Sequence, residues 1–84
     1  MFHLEFENES IEFILKQSPR NQALIKEKIK DLKVGNFHKD KALKGFYKGK
    51  FRKRAGDFRI IYLKQNLNIY ILKIAHRKES YKEK

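Results

Sequence analysis

A chain of 84 residues without a cysteine holds one hydrophobic core and no more, and it excludes disulfides and thiolate zinc as sources of stability. Its formal net charge of +11, from 21 Lys and Arg against 10 Asp and Glu, exceeds what solubility needs and points to a polyanionic partner, nucleic acid before an acidic protein. No apolar run approaches the ~20 residues of a bilayer span and none follows a basic start, so neither membrane association nor self-directed export is expected, and a reducing cytoplasm is.

Phe2, Leu4 and Phe6 alternate with His3, Glu5 and Glu7, the pattern of a half-buried first strand. Ser10 is a good helix cap with Glu12 in the first turn, and Ile11, Ile14 and Leu15 form the expected buried stripe of a short helix. Ser18-Pro19 opens a second helix, expected to run to about Val34 and to close at Gly35, with Leu24, Ile25, Ile29 and Leu32 on its apolar side. Lys26, Lys28, Lys30 and Lys33 spread around the remainder, which reads as a solvated surface. Residues 35–42 read as a polar loop. His38 and Asp40 on it have no fixed third group and are expected to be solvated rather than catalytic.

The segment from Lys44 to Tyr62 alternates strand-forming residues with cations, placing Lys48, Lys50, Arg52 and Arg54 on one face and Tyr47, Gly49, Phe51 and Lys53 on the other. Ala55-Gly56-Asp57 interrupts it with turn chemistry, and Phe58 to Lys64 reads as the returning strand of a hairpin. An even loop, either Ala55-Gly56 or Arg54 to Asp57, sets Arg52 opposite Arg59 and Phe51 opposite Ile60; an odd loop sets Lys53 opposite Arg59. The even loop is preferred because it gathers Phe51, Phe58, Ile60 and Tyr62 on one apolar face and Lys50, Arg52 and Arg59 on the other. After a turn at residues 65–68, Ile69 to Ile74 forms a third strand that is apolar on both faces, as a central strand covered on both sides would be. Ile61 and Leu63 share the second face, whose cover is the C-terminal tail or a partner. The order strand, two helices, three-stranded antiparallel meander predicts one α+β domain over residues 1–84, with both helices on one face of a single twisted sheet.

These residues carry a resemblance. Leu43-Lys44-Gly45, then Lys50-Phe51-Arg52, then Gly56 to Tyr62 and finally His76-Arg77-Lys78-Glu79 with Tyr81 resemble, in order and spacing, the RelE/ParE superfamily of type II toxin-antitoxin toxins, and most closely its RelE-like members. The likeness covers nearly the whole chain. It implies a ribosome-dependent endoribonuclease that cuts messenger RNA in the decoding site, is held inactive by a cognate antitoxin, and meets operator DNA only through the antitoxin complex. It further implies catalytic roles for Lys50, Arg52, Arg59 and Arg77, with His76 at a position often occupied by histidine. Tyr81 matches the family's C-terminal tyrosine, at a shorter distance from Arg77 than in the best-known members. ParE-like members that inhibit DNA gyrase generally lack this full set, so gyrase inhibition stands as the alternative.

Cleavage by such a site requires activation of a ribose 2′-OH, stabilisation of a phosphorane-like transition state and protonation of the leaving 5′-oxygen. Neither metal nor cofactor is expected, because the basic region holds no acidic cluster, and cations must supply the chemistry. Lys50 would serve as base in its neutral form, which flanking cations favour. Arg52 and Arg59 would clamp phosphate oxygens, and Arg77 would stabilise the leaving oxygen or pass it a proton. His76 either acts as acid or base or only shapes the strand end. Tyr81 either stacks on a substrate base or packs over Ile61 and Leu63. Lys44, Lys48, Lys53, Arg54 and Lys78 are expected to bind RNA. The basic face read alone also suits phosphate binding without catalysis, as a nucleic-acid-binding module.

Overall fold

A computed structural model describes residues 1–45 and 48–79. The expectations for Tyr47 and Tyr81 lie outside these residues. In chain order the elements are β1 (His3–Phe6), α1 (Asn8–Leu15), α2 (Pro19–Lys33), β2 (Lys41–Ala42), β3 (Phe51–Ala55), β4 (Phe58–Gln65) and β5 (Asn68–His76), followed by a 3-10 turn at Arg77–Glu79. The strands form one sheet in the order β1-β5-β4-β3-β2. β1 runs parallel to β5, and the other pairs are antiparallel. The α+β architecture is therefore as expected, with one addition: β2 arises within the stretch read as a loop and pairs with the outer edge of β3.

The core lies between the helices and one face of the sheet, where Ile25, Ile29 and Leu32 of α2 and Ile14 of α1 meet Ile60, Tyr62, Ile69, Ile71 and Ile74. α2 begins as expected, with the Asn21 amide donating to Ser18 Oγ at 3.2 Å. Beyond its last residue, Lys33, and the cap at Val34, the chain turns away at Gly35, whose φ of +82° costs an L-residue about 1–2 kcal/mol and glycine little.

α1 departs from its expected face. The helix starts at Asn8 with Glu7 as its cap, so Ser10 lies inside it, fully buried, with its hydroxyl donating to the Ile71 carbonyl at 3.4 Å. Ser10 and Ile14 consequently face the sheet, while Ile11 and Leu15 are 42% and 68% exposed. A small hydroxyl can approach the strand closely and satisfy its carbonyl, which no large apolar side chain at that position could do.

β5 also departs, because its pairing with β4 contains a bulge. Ile61 pairs with Lys73 but Tyr62 pairs with Ile71, leaving Leu72 as the extra residue and reversing the alternation beyond it. Ile69 and Ile71 before the bulge and Ile74 after it thus all join the same core. The two-sided apolar appearance of this strand reflects a change of phase more than two apolar faces. The second face still has a buried floor, formed by Ile61 and Ala75.

The β3–β4 loop is even, as expected, but consists of Gly56-Asp57, with Ala55 opposite Phe58. Every expected pair is shifted by two residues: Phe51 faces Tyr62, and Arg59 faces Arg54 instead of Arg52. The faces survive because a shift of two preserves the alternation. Gly56 sets the loop position, since its φ is +60° and an added Cβ would stand 2.6 Å from Leu24 Cδ2.

Candidate nucleic-acid interface

The register brings four cations onto the face turned away from the helices. Arg52 pairs with Ile61, Arg54 with Arg59, Arg59 with Ala75, and Ile61 with Lys73, and directly paired residues share a face. Arg52, Arg59 and Lys73 are half-buried around the Ile61 and Ala75 floor, while Arg54 is exposed. Lys73 was not anticipated, because the bulge reverses the alternation that would have revealed it. Carrying the β3 alternation one step back assigns Lys50 to this face too, and its carbonyl accepts from the Leu43 amide at 2.9 Å, fixing the chain just before the strand. Lys44, Lys48 and Lys78 are exposed around the sheet.

Arg59 is the most constrained of these cations. Its Nε is buried and has no hydrogen-bond partner among the described residues. A buried donor without a partner is costly, by about 1–3 kcal/mol.

Lys53 does not belong to this surface, contrary to expectation. It lies on the core side of β3, 4% exposed, with its ammonium 3.0 Å from Asp40 Oδ1 and donating to the Asn36 carbonyl at 3.1 Å. Asp40, expected to be a solvated loop residue, is equally enclosed: its side chain is 5% exposed and accepts from the Tyr62 hydroxyl at 2.6 Å. Burial, then the hydrogen bond to Asp40, then the negative charge of that carboxylate hold the Tyr62 phenol well above its ordinary pKa. Phe37 and Phe51 stack on the Tyr62 ring at 6.1 and 5.7 Å. The loop between α2 and β2 is therefore anchored to the sheet by a paired buried charge, which is tolerated because each partner is satisfied. His38 remains exposed.

The end of β5 separates two residues that the sequence groups. His76 pairs with Phe58 and meets its ring edge-to-face at 5.5 Å, on the helix side of the sheet and off the Arg59 face. Its Nδ1 accepts from the Lys78 amide at 3.2 Å, so it shapes the turn. Arg77 is held at the β3–β4 loop, where its amide donates to the Asp57 carbonyl at 2.7 Å and its Nε lies 3.7 Å from Asp57 Oδ1. This exposed ion pair is weak and would yield readily to a competing anion.

Arg52, Arg54 and Arg59, with Lys73, thus form a guanidinium-rich face on the sheet, and Arg77 is tethered to the loop joining two of its strands. Such an array can grip phosphate oxygens from several directions.

The fold has counterparts among known proteins. Among solved structures, the archaeal RelE-RelB complex from Pyrococcus horikoshii matches with a TM-score of 0.76 at 19% identity, covering 94% of this chain and 98% of that one. The toxin-antitoxin complex RelBE2 from Mycobacterium tuberculosis matches with a TM-score of 0.71 at 21% identity, covering 93% of each chain. YafQ from Escherichia coli matches with a TM-score of 0.74 at 14% identity, covering 93% of this chain and 96% of that one. At these identities the likeness is one of fold. No curated protein matches the sequence. Residues 7–81 match the sequence model of the ParE toxin of the type II toxin-antitoxin system parDE. The chain belongs to that toxin family, within the RelE/ParE superfamily.

Proposed function

We propose that this toxin is an endoribonuclease that enters the ribosomal decoding site and cuts messenger RNA by attack of a ribose 2′-OH on the adjacent phosphodiester. The observation that carries the reading is the Arg54–Arg59 pair beside Arg52 on the sheet face turned away from the helices, with the Arg59 Nε buried and lacking a partner among the described residues. In this scheme Arg52 and Arg59 hold the phosphate oxygens and neutralise charge that grows in the transition state. Lys50 accepts the 2′-OH proton as the 2′-oxygen bonds to phosphorus. The bond from phosphorus to the 5′-oxygen breaks, leaving a 2′,3′-cyclic phosphate, and Arg77 stabilises the departing oxygen as it takes a proton from water. Arg54, Lys44, Lys48, Lys73 and Lys78 supply long-range attraction for RNA. His76 acts by holding the turn that carries Arg77.

A cognate antitoxin is the proposed protein partner, in keeping with the toxin-antitoxin complexes among the structural neighbours. A second reading, inhibition of DNA gyrase, is favoured by one observation: the family model that matches is the ParE one. A translation extract given purified protein separates the two. Breaks in the messenger at decoding-site codons support the nuclease, whereas intact messenger together with arrested supercoiling by gyrase supports the alternative.

A further inference from the structure

Around the edge of β3 from the arginine face lies a polar cleft of about 570 Å³, bounded by α2, the loop following it, β2 and β3. β2 pairs only with Phe51 and Arg52, so the rest of the outer edge of β3 has no strand beside it. Two carboxylates line the cleft, and both are engaged: Asp40 with buried Lys53, and Asp31 with Lys28 at 3.9 Å. Lys39, Lys41, Arg52 and Arg54 line it as well and have no carboxylate within 4.0 Å among the described residues. Lys39 and Lys41 are exposed, and Lys39 is held at a φ of +68°, a conformation that lysine adopts only at a cost in energy.

The chemistry of the walls restricts the ligand. Among the described residues that line the cleft there is no apolar side chain. Protein partners are usually anchored by buried aromatic or aliphatic groups, whereas a sugar-phosphate backbone is held by cations and polar groups alone. Arg52 and Arg54 belong both to this cleft and to the Arg59 face, which makes the two surfaces continuous around the edge of the strand.

We propose that this cleft is a second phosphodiester-binding groove, which takes the backbone of single-stranded RNA as it passes from the Arg59 face around the edge of β3 toward α2. The proposal rests on the RNA reading above and extends it by assigning Lys39 and Lys41 to phosphates remote from the reacting one. The test is fluorescence anisotropy of the full chain with a labelled oligouridylate of about ten nucleotides over a range of salt concentrations. Lys39→Gln/Lys41→Gln is compared with Arg59→Gln, and unchanged thermal melting serves as the check on folding.

The expected result is that the double lysine variant binds about tenfold more weakly at low salt, with the slope of log K against log salt shallower by about 0.7 for each phosphate that is no longer neutralised. Weaker binding by Arg59→Gln, with affinity and slope unchanged in the lysine variant, overturns the groove and leaves the RNA reading intact. No RNA binding by the wild-type chain overturns both. Competition by polyglutamate that depends on Lys39 and Lys41, with RNA binding indifferent to them, overturns the groove in favour of an acidic protein ligand.

Discussion

Arg54 stands directly opposite Arg59 across the β3–β4 ladder. Like charges in that relation repel, by roughly 0.2–1 kcal/mol, and the desolvated Arg59 Nε adds its own cost. The sheet therefore carries a local penalty on the face proposed to meet RNA. Arg54→Gln should raise the melting temperature at low salt, and the gain should shrink as salt screens the pair. A variant no more stable than wild type at low salt would show that the two guanidiniums do not oppose one another.

The buried Lys53–Asp40 pair makes a different demand. Lys53→Met should lower stability by about 3–5 kcal/mol, because it strands the Asp40 carboxylate in the core. Adding Asp40→Leu should recover much of that loss, as measured by urea unfolding. A Lys53→Met chain that unfolds like wild type but loses RNA affinity would return Lys53 to the binding surface.

Tyr62 should make stability fall at alkaline pH. Its folded pKa is raised above the ordinary 10.0, so above that pH the unfolded chain releases a proton that the folded chain keeps, and unfolding is favoured as pH rises. The contribution is fully present below pH 10.0. In tyrosinate absorbance, native wild type and Tyr62→Phe should coincide up to the onset of unfolding, after which wild type should gain one additional tyrosinate. An excess signal from the folded wild type would mean that the hydroxyl is open to solvent.

Gly56→Ala should destabilise by at least ~1 kcal/mol, since it combines a positive φ with a Cβ placed 2.6 Å from Leu24 Cδ2. Asp57→Ala should cost less, because the Asp57 side chain contributes only a long, exposed contact to Arg77. Equal losses of urea stability for the two would argue against Gly56 as the residue that positions the loop.

Much of this arrangement is legible in the residues themselves. Alternation alone sorts Arg52 and Arg59 from Phe51, Ile60 and Tyr62, because the two faces of a strand differ in solvent. The pairing of Arg59 with Arg54 is not legible, because a slip of two residues keeps every side chain on its face and only the turn geometry distinguishes the registers. The bulge at Leu72 hid Lys73, since one unpaired residue inverts the pattern that follows it. Lys53 and Asp40 are each charged residues of ordinary surface type, and only their meeting across 13 positions of chain makes burial tolerable. Ser10 misled in the same way: its hydroxyl suits a helix cap, yet it is used against the Ile71 carbonyl.

The guanidinium face around Arg59 is proposed to cut RNA in addition to gripping it. The most direct measurement is single-turnover cleavage of messenger in purified, programmed ribosomes, comparing wild type with Arg59→Ala and mapping the 3′ ends produced. Cuts are expected within the decoding-site codon, ending in 2′,3′-cyclic phosphate, with a rate reduced at least ~100-fold in Arg59→Ala. Messenger left intact by a wild-type chain that still binds the programmed ribosome would contradict it.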